Sequence, residues 1–214
     1  MNKIAVLGSG QVGETLADGF LKHGYAVMRA SRDPAKLEGW KTKAKGDAST
    51  GTFGDAAKWG ELVVIAVKGS AAESAVEQAG VANLAGKIVI DTCNPIADAP
   101  PDHGVIRYFT QQNESLMERL QKQAPQARFV KAFNSMGAAV MVNPKLPSPG
   151  THFICGNDAA AKGEVGEILG KFGWHALDMG GVEAARPIES LCVLWCIPGF
   201  LRNDWAHVIS YVKV

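Results

Sequence analysis

The sequence predicts an α/β protein built on a parallel sheet, and three observations support that prediction. Short β-branched runs alternate with helical stretches from the first residues onward, as in βαβ units. The central runs are apolar on both faces, as buried parallel strands must be. The composition, 47% hydrophobic and 20% charged over 214 residues, suits a chain that buries a substantial core.

The expected strands and helices follow one another in this alternating order. Strands are expected at residues 4–7, 25–30, 62–67, 88–91, 129–132, 153–155 and 175–177. Helices are expected at residues 11–23, 34–43, 71–79, 114–123 and 159–172, the second of them capped by Asp33 and begun by Pro34. From residue 182 to the end the pattern is helical, with a break near Pro198. We therefore expect one domain over residues 1–181 and a C-terminal helical segment over residues 182–214 that is not an independent domain.

The charge balance and the cysteine pattern exclude several classes of function. Lys and Arg number 22 and Asp and Glu number 21, so the net charge of +1 lacks the footprint of a nucleic-acid or membrane-surface binder. The longest apolar run, residues 191–201, is about half the ~20 residues of a spanning helix, so we expect no membrane segment. The four cysteines form no CxxC pair and no signal peptide is evident, which favours a reducing, cytoplasmic setting. We expect no metal site.

A glycine motif directly follows the first expected strand and opens the first expected helix. It comprises Gly8, Ser9, Gly10, Gln11, Val12 and Gly13. In this context the first glycine allows a tight turn, the second lets the backbone approach a pyrophosphate, and the third lets the helix pack on the strand. The alternative is that the glycines serve only the turn. The motif predicts a Rossmann-type doubly wound sheet that binds a dinucleotide, with a short helical appendage at its C-terminus.

The end of the second expected strand indicates which dinucleotide is bound. NAD sites usually place Asp or Glu there, whereas this chain has Ser31 and Arg32, with Lys36 one turn into the next helix. A hydroxyl and a planar guanidinium together suit a 2′-phosphate. The alternative is that Arg32 and Lys36 are solvated surface charges. The pattern favours NADP(H).

In these residues the sequence resembles the NADP-dependent oxidoreductases that exchange hydride with the deazaflavin coenzyme F420. Residues 8–13 resemble the phosphate loop of that family, Ser31, Arg32 and Lys36 resemble its 2′-phosphate clamp, and residues 186–191 resemble the start of its terminal helices. Lys-Ala-Phe-Asn at 131–134 is similar to a bacterial branch described only as dinucleotide-binding. The resemblance implies that the ends of later strands line the nicotinamide pocket, through Ala66, Val67, Lys68, Cys93, Asn94, Pro95, Asn134, Ser135 and Met136. Proven members often carry a proline where this chain has Lys68, and an apolar turn where it has Asn134 and Ser135.

The function expected from this resemblance is hydride transfer between NADP(H) and a deazaflavin or flavin-type acceptor. No histidine lies in a recognisable pairing, and we expect no catalytic side chain, because hydride transfer between stacked rings depends mainly on alignment. One alternative is a β-hydroxyacid or imine dehydrogenase whose site a dimer completes. Another is a non-catalytic NADP-binding module. Because apolar residues face more than one side of the terminal helices, we also expect a homodimer formed by them.

Overall fold

A six-stranded parallel sheet forms the centre of the protein, as seen in a computed structural model that describes residues 2–213. The strands are β1 (Lys3–Leu7), β2 (Ala26–Ala30), β3 (Ala48–Gly51), β4 (Leu62–Ile65), β5 (Ile88–Asp91) and β6 (Arg128–Lys131). Their spatial order is β3-β2-β1-β4-β5-β6. This is the order of a doubly wound Rossmann sheet, whose strand order reverses between β1 and β4. The predicted fold class is confirmed.

Helices cover both faces of this sheet. They are α1 (Gln11–Lys22), α2 (Glu38–Lys43), α3 (Phe53–Trp59), α4 (Ala72–Ala79), α5 (Val81–Leu84), α6 (Leu116–Gln123), α7 (Ala159–Lys171) and α8 (Ala185–Arg202). On one face, side chains of α1 and α7 such as Leu16, Phe20 and Val165 pack on β1 and β4. On the other face, α3, α4 and α6 pack through residues such as Ala56 and Leu120. The carboxyl ends of the strands remain open between these layers.

The sequence analysis did not identify β3 or α3. Residues 48–51 read Ala-Ser-Thr-Gly, and they are half-buried at the outer edge of the sheet, so no apolar run marks them. The α3 helix instead begins at a capping box, in which Thr52 and Asp55 exchange hydrogen bonds with each other's backbone N–H. The unit formed by β3 and α3 was therefore not predicted, because the strand is short and lies at the edge of the sheet.

The last two strands form a second, smaller sheet. The parallel strands β7 (Gly150–Ile154) and β8 (Trp174–Asp178) pair only with each other, and α7 connects them. One antiparallel bridge between Lys131 and Cys155 joins this sheet to β6. Both strands were expected from the sequence. Their separation places the second sheet beside the carboxyl end of β6.

The C-terminal segment differs from the expectation. The α8 helix continues through Pro198 to Arg202, and residues 203–213 are not helical, so the predicted break and the helical end are both wrong. The tail folds back: Trp195 Nε1 donates to the His207 carbonyl at 3.0 Å, and Tyr211 N donates to Thr151 Oγ1 of β7 at 3.0 Å. These tertiary contacts offset the hydrogen bond that Pro198 cannot make.

The helical stretch Val182–Arg202 has the length and the mean hydropathy, 1.3, of a membrane-crossing helix. A helix in the core of a folded protein can have the same length and hydropathy, and 39% of the most apolar 18 residues of this stretch are buried. This is weak evidence for a membrane segment.

Candidate functional site

The loop between β1 and α1 has the backbone geometry that a pyrophosphate requires. Gly8 has φ +153°, and a Cβ there would collide with the Ala66 carbonyl oxygen. A Cβ at Gly13 would lie 2.6 Å from the Gly8 carbonyl oxygen. At Gly10, in contrast, a Cβ would meet no atom within 4 Å, so this glycine faces open space. The three glycines therefore match the turn, packing and approach roles expected of them.

The first turn of α1 leaves backbone donors available to a ligand. Gly10 is its N-cap residue and provides no side-chain cap, so no side chain of Gly10 satisfies the N–H groups of the first turn. Such N–H groups together with the positive end of the helix dipole attract phosphate. The loop thus offers an anion site at the point where the strand order reverses.

A buried arginine that the sequence analysis did not identify donates hydrogen bonds to this loop from the neighbouring strand β2. Arg29 of β2 is 1% exposed, and its guanidinium donates to the carbonyl oxygens of Gly8 at 3.2 Å and Gly10 at 2.9 Å. It also pairs with Glu14 at 3.0 Å and stacks over the ring of Trp40. These hydrogen bonds hold the carbonyl oxygens of Gly8 and Gly10 toward the buried guanidinium. The sequence contained one indication of this role, namely a charged residue, Arg29, within an otherwise apolar strand.

The predicted 2′-phosphate residues lie together at the end of β2. The side chain of Ser31 is nearly buried, and its hydroxyl accepts from the Asp33 backbone N–H at 3.3 Å. Arg32 and Lys36 are exposed. Within residues 2–213 no carboxylate forms an ion pair with either cation, so both are available to an anion. Asp33 caps the 3-10 turn that carries Lys36.

These residues share one groove of about 620 Å³ with the phosphate loop and the end of β4. Of the residues predicted for the site, it brings together Gly8, Ser9, Gly10, Ser31, Arg32, Lys36, Ala66, Val67 and Lys68. Groove residues that the sequence analysis did not identify are Asp33, Phe53, Ser70, Ala71, Ser74 and Gln78. Asp33, Ser70 and Ala71 lie in the connections after β2 and β4, Phe53 is the first residue of α3, and Ser74 and Gln78 belong to α4. These segments come together through the sheet order rather than through any local motif. Gln11, Val12 and Gly13 belong to α1 and do not line the groove.

The remaining predicted residues form a second group at the ends of β5 and β6. Asn94 Nδ2 donates to the Asn134 carbonyl at 2.7 Å, and Asn134 Nδ2 donates to Asn94 Oδ1 at 3.1 Å. Cys93 Sγ donates to the Val67 carbonyl at 3.3 Å, which connects this group to the groove. Pro95, Ser135 and Met136 are buried in the same region. The region that the resemblance predicts for the nicotinamide is therefore built from hydrogen-bonded turns after β5 and β6.

The two groups of residues differ in the ionisable side chain that each places near their junction. Burial raises the pKa of the Cys93 thiol well above its ordinary value, so Cys93 is a neutral hydrogen-bond donor. Lys68, in contrast, is exposed at the end of β4 and forms an ion pair with the exposed Asp98. Lys68 is thus an exposed, ion-paired cation at the edge of the groove.

The donor set and the groove fit a phosphorylated dinucleotide. The first turn of α1 has no side-chain cap and the loop is open at Gly10, Arg32 and Lys36 form no ion pair within residues 2–213, and the groove continues to the end of β4. In the described residues, no group of three or more His, Cys, Asp or Glu side chains is placed to hold a metal ion.

Comparisons with known proteins agree with this geometry. Residues 3–95 match the family described as NADP oxidoreductase, coenzyme F420-dependent. The chain is 30% identical over 203 residues to the F420-dependent NADP reductase of Methanocaldococcus jannaschii, covering 90% of each protein. It also matches the crystal structure of a presumed F420-dependent NADP reductase from Arthrobacter sp. FB24, with TM-score 0.91, 32% identity, and 98% and 99% of the two chains covered.

A longer relative matches as well. The chain is 29% identical over 204 residues to the metalloreductase STEAP3 of Rattus norvegicus. The match covers 93% of this chain but only 39% of STEAP3. The similarity to the archaeal reductase over 90% of each protein shows that this chain belongs to the family described as NADP oxidoreductase, coenzyme F420-dependent, and is an NADP-dependent oxidoreductase.

Proposed function

We propose that this protein transfers hydride between NADP(H) and a deazaflavin or flavin-type acceptor. The observation that carries the proposal is the continuous edge formed by the carboxyl ends of β2, β1, β4, β5 and β6. The phosphate groove occupies one half of that edge, and the interlocked turns around Asn94 and Asn134 occupy the other. Ligands of doubly wound sheets bind along this edge, at the strand-order reversal.

We propose that Ser31, Arg32 and Lys36 bind the 2′-phosphate and that the loop around Gly10 binds the pyrophosphate. The ends of β4, β5 and β6 then receive the nicotinamide ring. NADPH supplies a hydride to the acceptor ring, which also takes one proton from solvent, leaving NADP⁺ and the reduced acceptor. The chain's contribution is to orient the two rings and to exclude water between them.

We propose that hydride transfer here needs no side-chain acid or base. The ionisable side chains that line the groove are Arg32, Asp33, Lys36 and Lys68. We assign the three cations to binding and Asp33 to capping the turn that carries Lys36. Cys93, at the inner end of the site, is held in its neutral form by burial. Alignment of donor and acceptor atoms alone can contribute about 7 to 11 kcal/mol in well-oriented systems, which makes positioning a sufficient source of rate.

Anaerobic mixing of the protein with NADPH and a candidate acceptor tests this proposal. Coenzyme F420, FMN and a one-electron dye are supplied separately, and NADPH oxidation is followed by absorbance. We expect stoichiometric oxidation of NADPH with a ring acceptor, and no oxidation by the Gly10→Val variant. Absence of oxidation with F420 and with FMN at stoichiometric protein would refute the proposal.

We further propose a homodimer and a cytoplasmic location. The exposed side of α8 and its tail carries Leu194, Phe200, Leu201 and Trp205, each at least 38% exposed. Burial of these side chains against the same helix of a second copy would remove their apolar surface from water, and a two-fold dimer uses one such surface twice. All four cysteines are free and buried, which suits a reducing compartment.

A further inference from the structure

Three buried ionic side chains lie between the nicotinamide side of the site and the C-terminal helix. Lys131 Nζ of β6 lies 2.6 Å from Asp91 Oδ2 of β5 and 2.7 Å from Glu189 Oε1 of α8. The three side chains are between 0 and 2% exposed. Ions are buried this deeply only when they are paired and hydrogen-bonded.

The N-terminus of α6 stabilises the Glu189 carboxylate of this cluster. Two carboxylates and one ammonium leave one surplus negative charge. The Glu189 carboxylate accepts from the backbone N–H groups of Leu116 at 3.0 Å and Met117 at 3.1 Å, the first two residues of α6. These donors and the positive end of the α6 dipole favour a carboxylate there. Burial acts in the opposite direction and raises the pKa of Glu189.

The cluster also fixes the backbone where β5 ends. Lys131 Nζ donates to the Cys93 carbonyl at 2.9 Å, and Asp91 Oδ1 accepts from the Cys93 N–H at 2.9 Å. Both polar groups of Cys93 are therefore held by the cluster. The next residue is Asn94, whose amide is bonded to Asn134. Displacement of the Lys131 ammonium would therefore shift Cys93, and through Asn94 and Asn134 it would shift the turns that follow β5 and β6.

The α8 helix closes this network at two consecutive residues. Asn134 Nδ2 donates to the Ile188 carbonyl at 2.9 Å, and the next residue of α8 is Glu189. One turn of α8 therefore contacts the end of β6 directly and the end of β5 through Lys131.

Backbone strain marks the same segment. Phe133 has φ +61°, a conformation that costs an aromatic residue of the order of 1 to 3 kcal/mol. The Phe133 N–H donates to Nε2 of the buried His152 at 2.6 Å, which stabilises the turn. Residues 131–134 are therefore held at three points. Such over-determined strain is typical of sites whose geometry matters for chemistry.

We propose that Glu189 is a positioning residue for hydride transfer, acting through Lys131 on the turns that follow β5 and β6. This inference rests on the proposed function, because it requires those turns to receive the nicotinamide ring. Within residues 2–213, no hydrogen bond or ion pair connects Ser31, Arg32 or Lys36, which would hold the adenosine half, to the cluster. Loss of Glu189 therefore misplaces the ring without releasing the rest of the dinucleotide.

The test compares Glu189→Gln with a matched variant, Glu118→Gln. Both changes neutralise a carboxylate that connects α6 and α8, because Glu118 pairs with Arg186 of α8 at 2.5 Å. In the part of the chain that the structure describes, the side chain of Glu118 bonds Ser115 and Arg186 and forms no hydrogen bond or ion pair with Lys131 or with either turn. For Glu189→Gln we expect kcat for NADPH oxidation to fall about tenfold to a hundredfold. We expect affinity for 2′,5′-ADP, a probe of the adenosine half, to stay within about twofold of the wild-type value. Glu118→Gln is expected to leave both quantities unchanged.

A readout independent of turnover is amide hydrogen exchange in the protein without ligand. We expect Glu189→Gln to accelerate exchange at Cys93 and in the segment 132–136, while exchange in β1 and α1 stays as in the wild type. Unchanged exchange at Cys93, or kcat equal to that of Glu118→Gln, would overturn the inference. Parallel loss of 2′,5′-ADP affinity would also overturn it, because it indicates general damage to the fold.

Two further outcomes also test the inference: a wild-type protein without activity, and a Glu189→Gln variant that does not fold. If the wild-type protein oxidises no NADPH, the proposed function fails and the exchange at Cys93 alone decides whether Glu189 positions the turn. If Glu189→Gln does not fold, Glu189→Asp retains the charge but shortens the side chain by one methylene. Its kcat should then fall while its affinity for 2′,5′-ADP is kept; wild-type kcat in this variant would overturn the inference.

Discussion

Replacing Arg32 by alanine should weaken binding of NADPH but not of NADH. Arg32 is exposed at the end of β2 beside Ser31 and within the same groove as Lys36. A charge-assisted hydrogen bond contributes about 1.5 to 3 kcal/mol, equivalent to roughly tenfold to a hundredfold in affinity. Because the guanidinium is exposed and two neighbouring donors remain, we expect a loss near the lower limit, about tenfold.

The measurement is a set of calorimetric titrations with NADPH and with NADH at two ionic strengths. Wild-type protein should prefer NADPH, and added salt should reduce that preference, since screening weakens an exposed phosphate contact. Lys41→Ala is the matched control, because Lys41 is an exposed cation of α2 that does not line the groove. It should leave both affinities unchanged.

A second variant distinguishes a phosphate contact from damage to the loop. Arg29 bonds two carbonyl oxygens of the phosphate loop, so Arg29→Met should weaken NADPH and NADH to a similar extent. Equal binding of the two cofactors by the wild type would refute the assignment of Ser31 and Arg32. The assignment is also wrong if Arg32→Ala lowers both affinities in parallel, as Arg29→Met should.

Three further predictions concern the loop, the assembly and the response to pH. Gly10→Val should abolish dinucleotide binding, measured by calorimetry, while circular dichroism stays native, because the position has extended backbone and faces open space that the pyrophosphate would fill. Wild type should sediment as a dimer at micromolar concentration and the double variant Leu194→Glu, Leu201→Glu as a monomer; a monomeric wild type would contradict the predicted interface. Burial lowers the pKa of His152 to about 3, so the unfolded state binds more protons between about pH 6.5 and 3, and the free energy of unfolding should decrease as pH falls through that range. Chemical denaturation at several pH values should show a shallower decrease in His152→Gln, and an equal slope would refute the role of His152.

The sequence predicted the main sheet because its central strands carry a local signal. Residues 4–7 of β1, 62–65 of β4 and 88–90 of β5 are buried and apolar without interruption, which a sequence reveals directly. At the edge, β3 has no such run, since only its position beside β2 and not its composition makes it a strand. The path of α8 through Pro198 likewise depends on contacts with a tail that no local pattern predicts.

The phosphate half of the site could be predicted for the same reason, and the supporting residues could not. Gly8, Gly10 and Gly13 lie within six residues, so the motif can be read without the fold. The Asp91, Lys131 and Glu189 cluster joins residues up to 98 positions apart, and only the sheet order and the placement of α8 bring them together. Taken alone, each of the three resembles an ordinary charged residue.

The proline within α8 has a consequence for how this helix can diverge. Pro198 lacks the N–H that would donate to the Leu194 carbonyl, so the helix is mechanically softer at that point. On one side of it lies Glu189, bound to the strand ends; on the other lie Phe200 and Leu201, exposed to solvent. A softer point at the proline would let the outer part bend without tilting the inner part. Under the proposed dimer and the proposed hydride transfer, substitutions that alter what the outer part contacts can accumulate while the turns bound by the inner part keep their geometry. Assembly and catalysis would then evolve separately within one helix.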